Sequence, residues 1–117
     1  MTDLNTTPKP MIWSGGEHVF TLNDPYVRNV LSIRGLPGNF GDTPAACFKR
    51  FEQNIFSTDD VERVIYLGLI GGGLSIKEAS TLVEKFVKSR PILENSNTAV
   101  SVLFTLFAVP DLKKDAA

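Results

Sequence analysis

Three consecutive glycines, Gly71 to Gly73, interrupt the stretch LGLIGGGLSIKEA between two helical patterns, and they constrain the fold more than any other feature. Such a run either cradles a phosphate or turns the chain. A phosphate loop of the common type follows a strand and closes with Lys-Ser or Lys-Thr before a helix. Here the preceding segment has helical spacing, with Val61, Val64, Ile65, Gly68 and Leu69 along one side. Leu74-Ser75 follows the glycines, and Lys77 comes too late, on the wet face of the next helix. The chain therefore reads as a structural turn. Gly71 or a neighbour ends one helix in the left-handed conformation, the others let the next helix fold back, and Ser75 with Glu78 forms a capping box for it. Gly68 is suited to a close helix–helix approach.

The rest of the chain arranges itself around that turn as a mainly α fold, a small domain of about five helices with an N-terminal β-hairpin. Residues 1–9 read as a loose arm, 10–109 as one domain and 110–117 as a frayed tail. Met11-Ile12-Trp13 and Val19-Phe20-Leu22 are short apolar runs separated by Ser14-Gly15-Gly16, which is hairpin chemistry. Asn23 or Asp24 with Pro25 opens a first helix, faced by Val27, Val30, Leu31 and Arg34 and stopped at Gly35. LPGNFGDTP is a loop. Asp42 or Thr43 with Pro44 opens a second helix with a stripe of Cys47, Phe48, Phe51 and Ile55, leaving Lys49, Arg50, Glu52 and Gln53 in water. The third helix opens at Ser57-Thr58-Asp59-Asp60, where acidic residues complement the helix dipole. The fourth buries Ile76, Ala79, Leu82, Val83, Phe86 and Val87 and ends at Arg90-Pro91. The last element runs from Pro91 to Pro110. Its Val- and Phe-rich second half also suits a strand, but continuity favours helix.

Little in the composition points to chemistry. A net charge of −1 across 117 residues sets up no field toward nucleic acid or anionic lipid. His18 is the single histidine, so a triad or histidine-based metal site lacks a second member. Cys47, the single cysteine, sits on an apolar helix face as a small hydrophobe and fits a reducing compartment. No catalytic residue, cofactor or metal is expected. The first ten residues lack a secretory core. The most apolar run, Ala99 to Val109, would span only about 16 Å as a helix, short of a bilayer core. A soluble, non-enzymatic protein that is not secreted is the expectation. Helices three and four have a helix-turn-helix outline, but segment 76–90 sets Lys77, Lys85, Lys88 and Arg90 against Glu78 and Glu84, and lacks a row of base-reading side chains. DNA binding stays as a weaker alternative.

What remains is an apolar surplus. Tyr66, Leu67, Leu69, Ile70 and Leu74 are joined by Val102, Leu103, Phe104, Leu106 and Phe107. It is either an ordinary core or a surface for protein partners; the candidate partner surface is Tyr66, Leu67, Leu69, Ile70, Leu74, Phe104 and Phe107. The strings WSGGEHVFTL, DVERVIYLGLIGGGLSIKEASTLVEKFV and RPILEN resemble a family of small phage tail proteins that also occurs in gene transfer agents, the phage-like particles of alphaproteobacteria, and is labelled a tail tube protein of gene-product-ten type. The resemblance spans roughly residues 12–108; the segment NDPYVRNVLSIRG and the loop LPGNFGDTP depart from it. It implies a role in building a siphophage-like tail. Foremost is a tail assembly chaperone that binds tape-measure and tail tube proteins, alternatively a tail tube component retained in the particle. Self-association fits both roles. The implied location is the bacterial cytoplasm during assembly, or the tail of the particle.

Overall fold

Residues 10–107 are described by the computed structural model, and they form an antiparallel hairpin followed by five helices. The proposed arm, the tail and the stop at Pro110 lie outside the described residues. Strands β1 (Pro10–Trp13) and β2 (Gly16–Val19) pair with Met11 opposite His18 and Trp13 opposite Gly16. The turn at Ser14-Gly15 leads into Gly16 at φ 116°, a conformation that favours glycine. Phe20 to Leu22 leave the ladder, the chain bends at Leu22, and all three are buried.

The first four helix starts follow from their caps. Asp24 accepts from the N–H groups of Tyr26 and Val27 and opens α1 (Pro25–Arg34). Thr43 accepts from the Ala46 N–H and opens α2 (Pro44–Glu52). Ser57 and Asp60 form a reciprocal capping box at the head of α3 (Thr58–Gly71), and Ser75 and Glu78 form another at the head of α4 (Ile76–Val83). The helix then widens into a π turn over Glu84–Lys88. Residues four apart drift about 40° per step around an α-helix. The wider turn takes back part of that drift and keeps Ala79, Val83 and Val87 on the buried side. The last element is helical over its described length, α5 (Leu93–Phe107).

Helix α3 is the hub, packing against α1, α4, α5 and β2. That position explains why its second half is apolar all round: Ile65, Leu67, Gly68 and Leu69 are buried from several sides at once. Phe20, Leu22, Val27, Val102 and Leu103 complete the centre of the core.

Several expected helix faces differ from the observed ones. Ile55 is not on α2. The helix ends at Glu52, Asn54 takes φ 60°, and the N–H groups of Asn54 and Ile55 return to the carbonyls of Phe51 and Arg50, leaving the Ile55 side chain exposed. Ile76 is exposed in the first turn of α4, and Arg34 is exposed at the end of α1. Arg50, expected in water, is 2% exposed.

Candidate functional site

The glycine turn assigns each of its members a different task. The N–H of Gly73 reaches the carbonyl of Ile70 at 3.0 Å, and that of Leu74 reaches Leu69 at 3.1 Å. This is a Schellman termination with Gly73, at φ 118°, in the position that needs a positive φ. Gly72 is the cap in ordinary right-handed geometry at φ −80°. Gly71 is the last helical residue, so the left-handed position is two residues later than the first glycine. Gly71 and Gly72 are needed for space instead. A Cβ on Gly71 would lie 1.9 Å from the Thr21 carbonyl oxygen, and one on Gly72 would lie 1.9 Å from that of Val19. On Gly68 a Cβ would lie 2.5 Å from Val102 and 3.0 Å from Phe20. Gly68, Gly71 and Gly72, spaced i, i+3 and i+4, thus form a shallow track along the end of α3 that receives segment 19–22. The Thr21 N–H donates to the Gly68 carbonyl at 3.1 Å. Carbonyl oxygens occupy the ground a phosphate would need, and they repel an anion. Beyond the turn, the Ser75 N–H donates to Glu78 and holds its carboxyl below the usual carboxylate range.

The proposed partner surface divides in two. Leu67 and Leu69 belong to the core, Leu69 with no exposure at all. Composition does not separate the two cases, because a helix covered on every side and a helix offered to a partner have the same composition. Tyr66, Ile70 and Leu74 are half-buried against the core. Phe104 and Phe107 are the part that remains outside, 51% and 38% exposed. Phe48 of α2 joins them, its ring centroid 5.4 Å from that of Phe104 and 5.9 Å from that of Phe107. Three aromatic rings therefore meet across the α2–α5 seam, two of them open to solvent.

A second site has no counterpart in the sequence reading. The Arg50 guanidinium donates through Nε and Nη2 to both oxygens of Asp60 at 2.9 and 2.7 Å. Its remaining N–H groups reach the carbonyls of Leu36 (2.7 Å), Asn39 (3.0 Å) and Gly41 (3.1 Å). All five donors of the fork are met, as a buried arginine requires. Burial pushes the Asp60 carboxyl up, but hydrogen bonds from Arg50 and Ser57 and the charge of Arg50 outweigh it and hold the group below the usual carboxylate range. Cys47 lies beside this pair, and burial, reinforced by the Asp60 charge, pushes its thiol up to about 12. It is a neutral core group at ordinary pH. The signal was present: Cys47, Arg50 and Phe51 share one face at i, i+3 and i+4.

His18 sits in β2 and accepts at Nδ1 from the Trp13 indole N–H at 2.9 Å. Trp13 stacks edge-on with His18, Phe20 and Phe86, so the histidine serves the hairpin's attachment to the core. On α4, Glu78 is committed to its cap and Glu84 to Lys88 at 3.2 Å, leaving mixed charges on the exposed face. Among the described residues no group of three or more His, Cys, Asp or Glu is placed to hold a metal, and no helix is long and apolar enough to cross a membrane.

The family described as phage tail tube protein, GTA-gp10, matches residues 10–109, which takes in every described element. No curated protein and no solved structure matches the chain.

Proposed function

We propose a tail-assembly role for this chain, which belongs to the phage tail tube protein family of GTA-gp10 type: it acts as an assembly chaperone that covers apolar segments of other tail proteins, the tape measure foremost. The observation that carries this reading is the Phe48–Phe104–Phe107 cluster at the α2–α5 seam. Exposed aromatic rings on a rigid helical seam lose little conformational freedom on binding and cover apolar side chains well. The surface is small, which suits a contact that must later be released. Near-zero net charge sets up no long-range repulsion between closely packed copies. The second reading, a tube component retained in the particle, is favoured by the family's own description.

Phe104→Asp and Phe107→Asp test the reading, because both side chains reach solvent and the variants should fold. Co-expression with tagged tape-measure and tube proteins should recover the parent chain and lose both variants. Equal recovery of parent and variants would remove the aromatic seam from the argument. Purified particles decide between the two roles. A chaperone is absent or sub-stoichiometric there, and a tube component is present in ring-forming amounts.

A further inference from the structure

The two exposed rings of the seam sit on a stretch of α5 that a distant part of the chain grips. Phe104 and Phe107 flank Thr105, which is buried in the last described turn of the helix. Two neighbouring residues ahead of α1 hold Thr105 by both of its polar groups. The Leu22 N–H donates to the Thr105 hydroxyl oxygen at 2.9 Å, and Asn23 Nδ2 donates to the Thr105 carbonyl at 2.9 Å. The hydroxyl in turn donates to the Val102 carbonyl. A helix turns by about 100° per residue, so Phe104 and Phe107 point about 60° apart on the side away from Thr105. Anchoring Thr105 inward therefore sets where both rings point.

The Asn23 amide is itself oriented. Arg28 Nη1 donates to Asn23 Oδ1 at 2.9 Å. Arginine can only donate, so the amide oxygen must face it and the NH2 group must face Thr105. Arg28, Asn23 and Thr105 thus form a polar bridge from α1 to α5. The apolar core does not need this bridge: Asn23 is half-buried, Arg28 is exposed, and neither belongs to the core cluster.

We infer that Asn23 is a positioning residue for the aromatic seam. Through the Thr105 carbonyl it holds Phe104 and Phe107 against Phe48 in one orientation, and Arg28 sets the sense of its amide. The inference rests on the proposed role of the seam only for its consequence in binding. A surface fixed before docking loses less conformational freedom on docking, so freeing the two rings should weaken partner binding about tenfold.

Asn23→Asp isolates the contact. Its carboxylate still accepts from Arg28, but it has no N–H for the Thr105 carbonyl and sets a negative charge against it. Asn23→Ala removes the amide without adding charge. Gly73→Ala is the comparison, because it strains the backbone at a residue whose Cβ would touch nothing. Nuclear Overhauser contacts between the ring protons of Phe48 and those of Phe104 and Phe107 read ring placement on the full chain, at a temperature where circular dichroism shows the variants folded. The contacts should persist in the parent and in Gly73→Ala and be lost in both Asn23 variants. Ring contacts unchanged in the Asn23 variants, or lost equally in Gly73→Ala, would overturn the inference. Titration with the tagged tape-measure protein separates this result from the role of the seam. Lost ring contacts with about tenfold weaker binding support both. Lost ring contacts with undiminished binding uphold Asn23 as the positioning residue and remove the seam from partner binding. Weaker binding with the ring contacts intact overturns the inference.

Discussion

Replacing Gly72 with alanine tests the central packing argument most directly. The residue has ordinary helical φ, so a methyl group brings no backbone strain. Its only penalty is steric: the added Cβ would lie 1.9 Å from the Val19 carbonyl oxygen. Van der Waals contact is optimal near 3.5 Å, so segment 19–22 must retreat by roughly 1.5 Å. That retreat breaks the bond from the Thr21 N–H to Gly68 and the bond from the Leu22 N–H to the Thr105 hydroxyl, now 3.1 and 2.9 Å. Each is worth about 1 kcal/mol. Forced repacking around the buried Phe20 and Leu22 adds about 1–3 kcal/mol. Loss of glycine's freedom in the unfolded chain returns about 0.5–1 kcal/mol. The net destabilisation is about 2–4 kcal/mol. In a domain of this size that lowers the melting temperature by roughly 10–25 °C. Gly73→Ala is the control. Nothing crowds its Cβ, but φ is 118°, so it should cost only about 1–2 kcal/mol of backbone strain. Thermal melts followed by circular dichroism read both. If Gly72→Ala melts with the parent, or above Gly73→Ala, the track on α3 does not hold the strand as described.

Asp60→Asn leaves the Arg50 charge buried without its counter-charge and should cost about 3–5 kcal/mol by denaturant titration. Because the folded Asp60 value lies below the usual range, its stabilisation is complete above the unfolded value of about 3.9 and disappears as pH falls through the folded one. The variant should therefore show a flatter loss of stability in acid than the parent. Cys47 should resist a thiol reagent at mildly alkaline pH at a rate set by unfolding, and should react at once in denaturant. With its folded thiol near 12, its contribution is intact below the unfolded value of about 8.5 and is lost as pH rises through the folded one. Leu69→Asp, at a fully buried site, should fail to fold, whereas Phe104→Asp should melt close to the parent.

Capping chemistry was the most legible layer of this sequence, because it is local. Asp24, Thr43, Ser57 and Ser75 each mark a helix start, and each acts through backbone groups two or three residues away. The glycine turn was legible for the same reason, although which glycine takes the positive φ was not. That depends on where the helix runs out, and the close approach of Val19 and Thr21 depends on a segment some fifty positions earlier. Burial was least legible where polarity and packing disagree. Arg50 reads as a wet residue on any polarity scale. It is buried because Asp60 and three loop carbonyls, none of them on its own helix, meet all its donors. Leu67 and Leu69 erred in the other direction, since nothing local says whether an apolar helix is wrapped by its own chain.

These two misplacements have a common structural consequence. Leu67 and Leu69 of α3 are covered by their own chain and have nothing left to offer a partner, whereas Phe104 and Phe107 at the α2–α5 seam and Phe40 in the α1–α2 loop are among the apolar groups left exposed. The Arg50–Asp60 pair ties seam and loop to the hub. Arg50 fixes the loop that carries Phe40 and belongs to α2, which supplies Phe48 to the seam, and Asp60 closes the first turn of α3. Replacing the pair with apolar residues of similar volume is often tolerated in other cores, because desolvation offsets much of the attraction between buried charges. Here an apolar side chain at position 50 would leave three loop carbonyls without their donor. An Arg50→Met, Asp60→Leu double variant should therefore retain the helical core while its Leu36–Gly41 amides exchange with solvent faster than in the parent. Unchanged protection across that loop would show that the carbonyl contacts do not hold it.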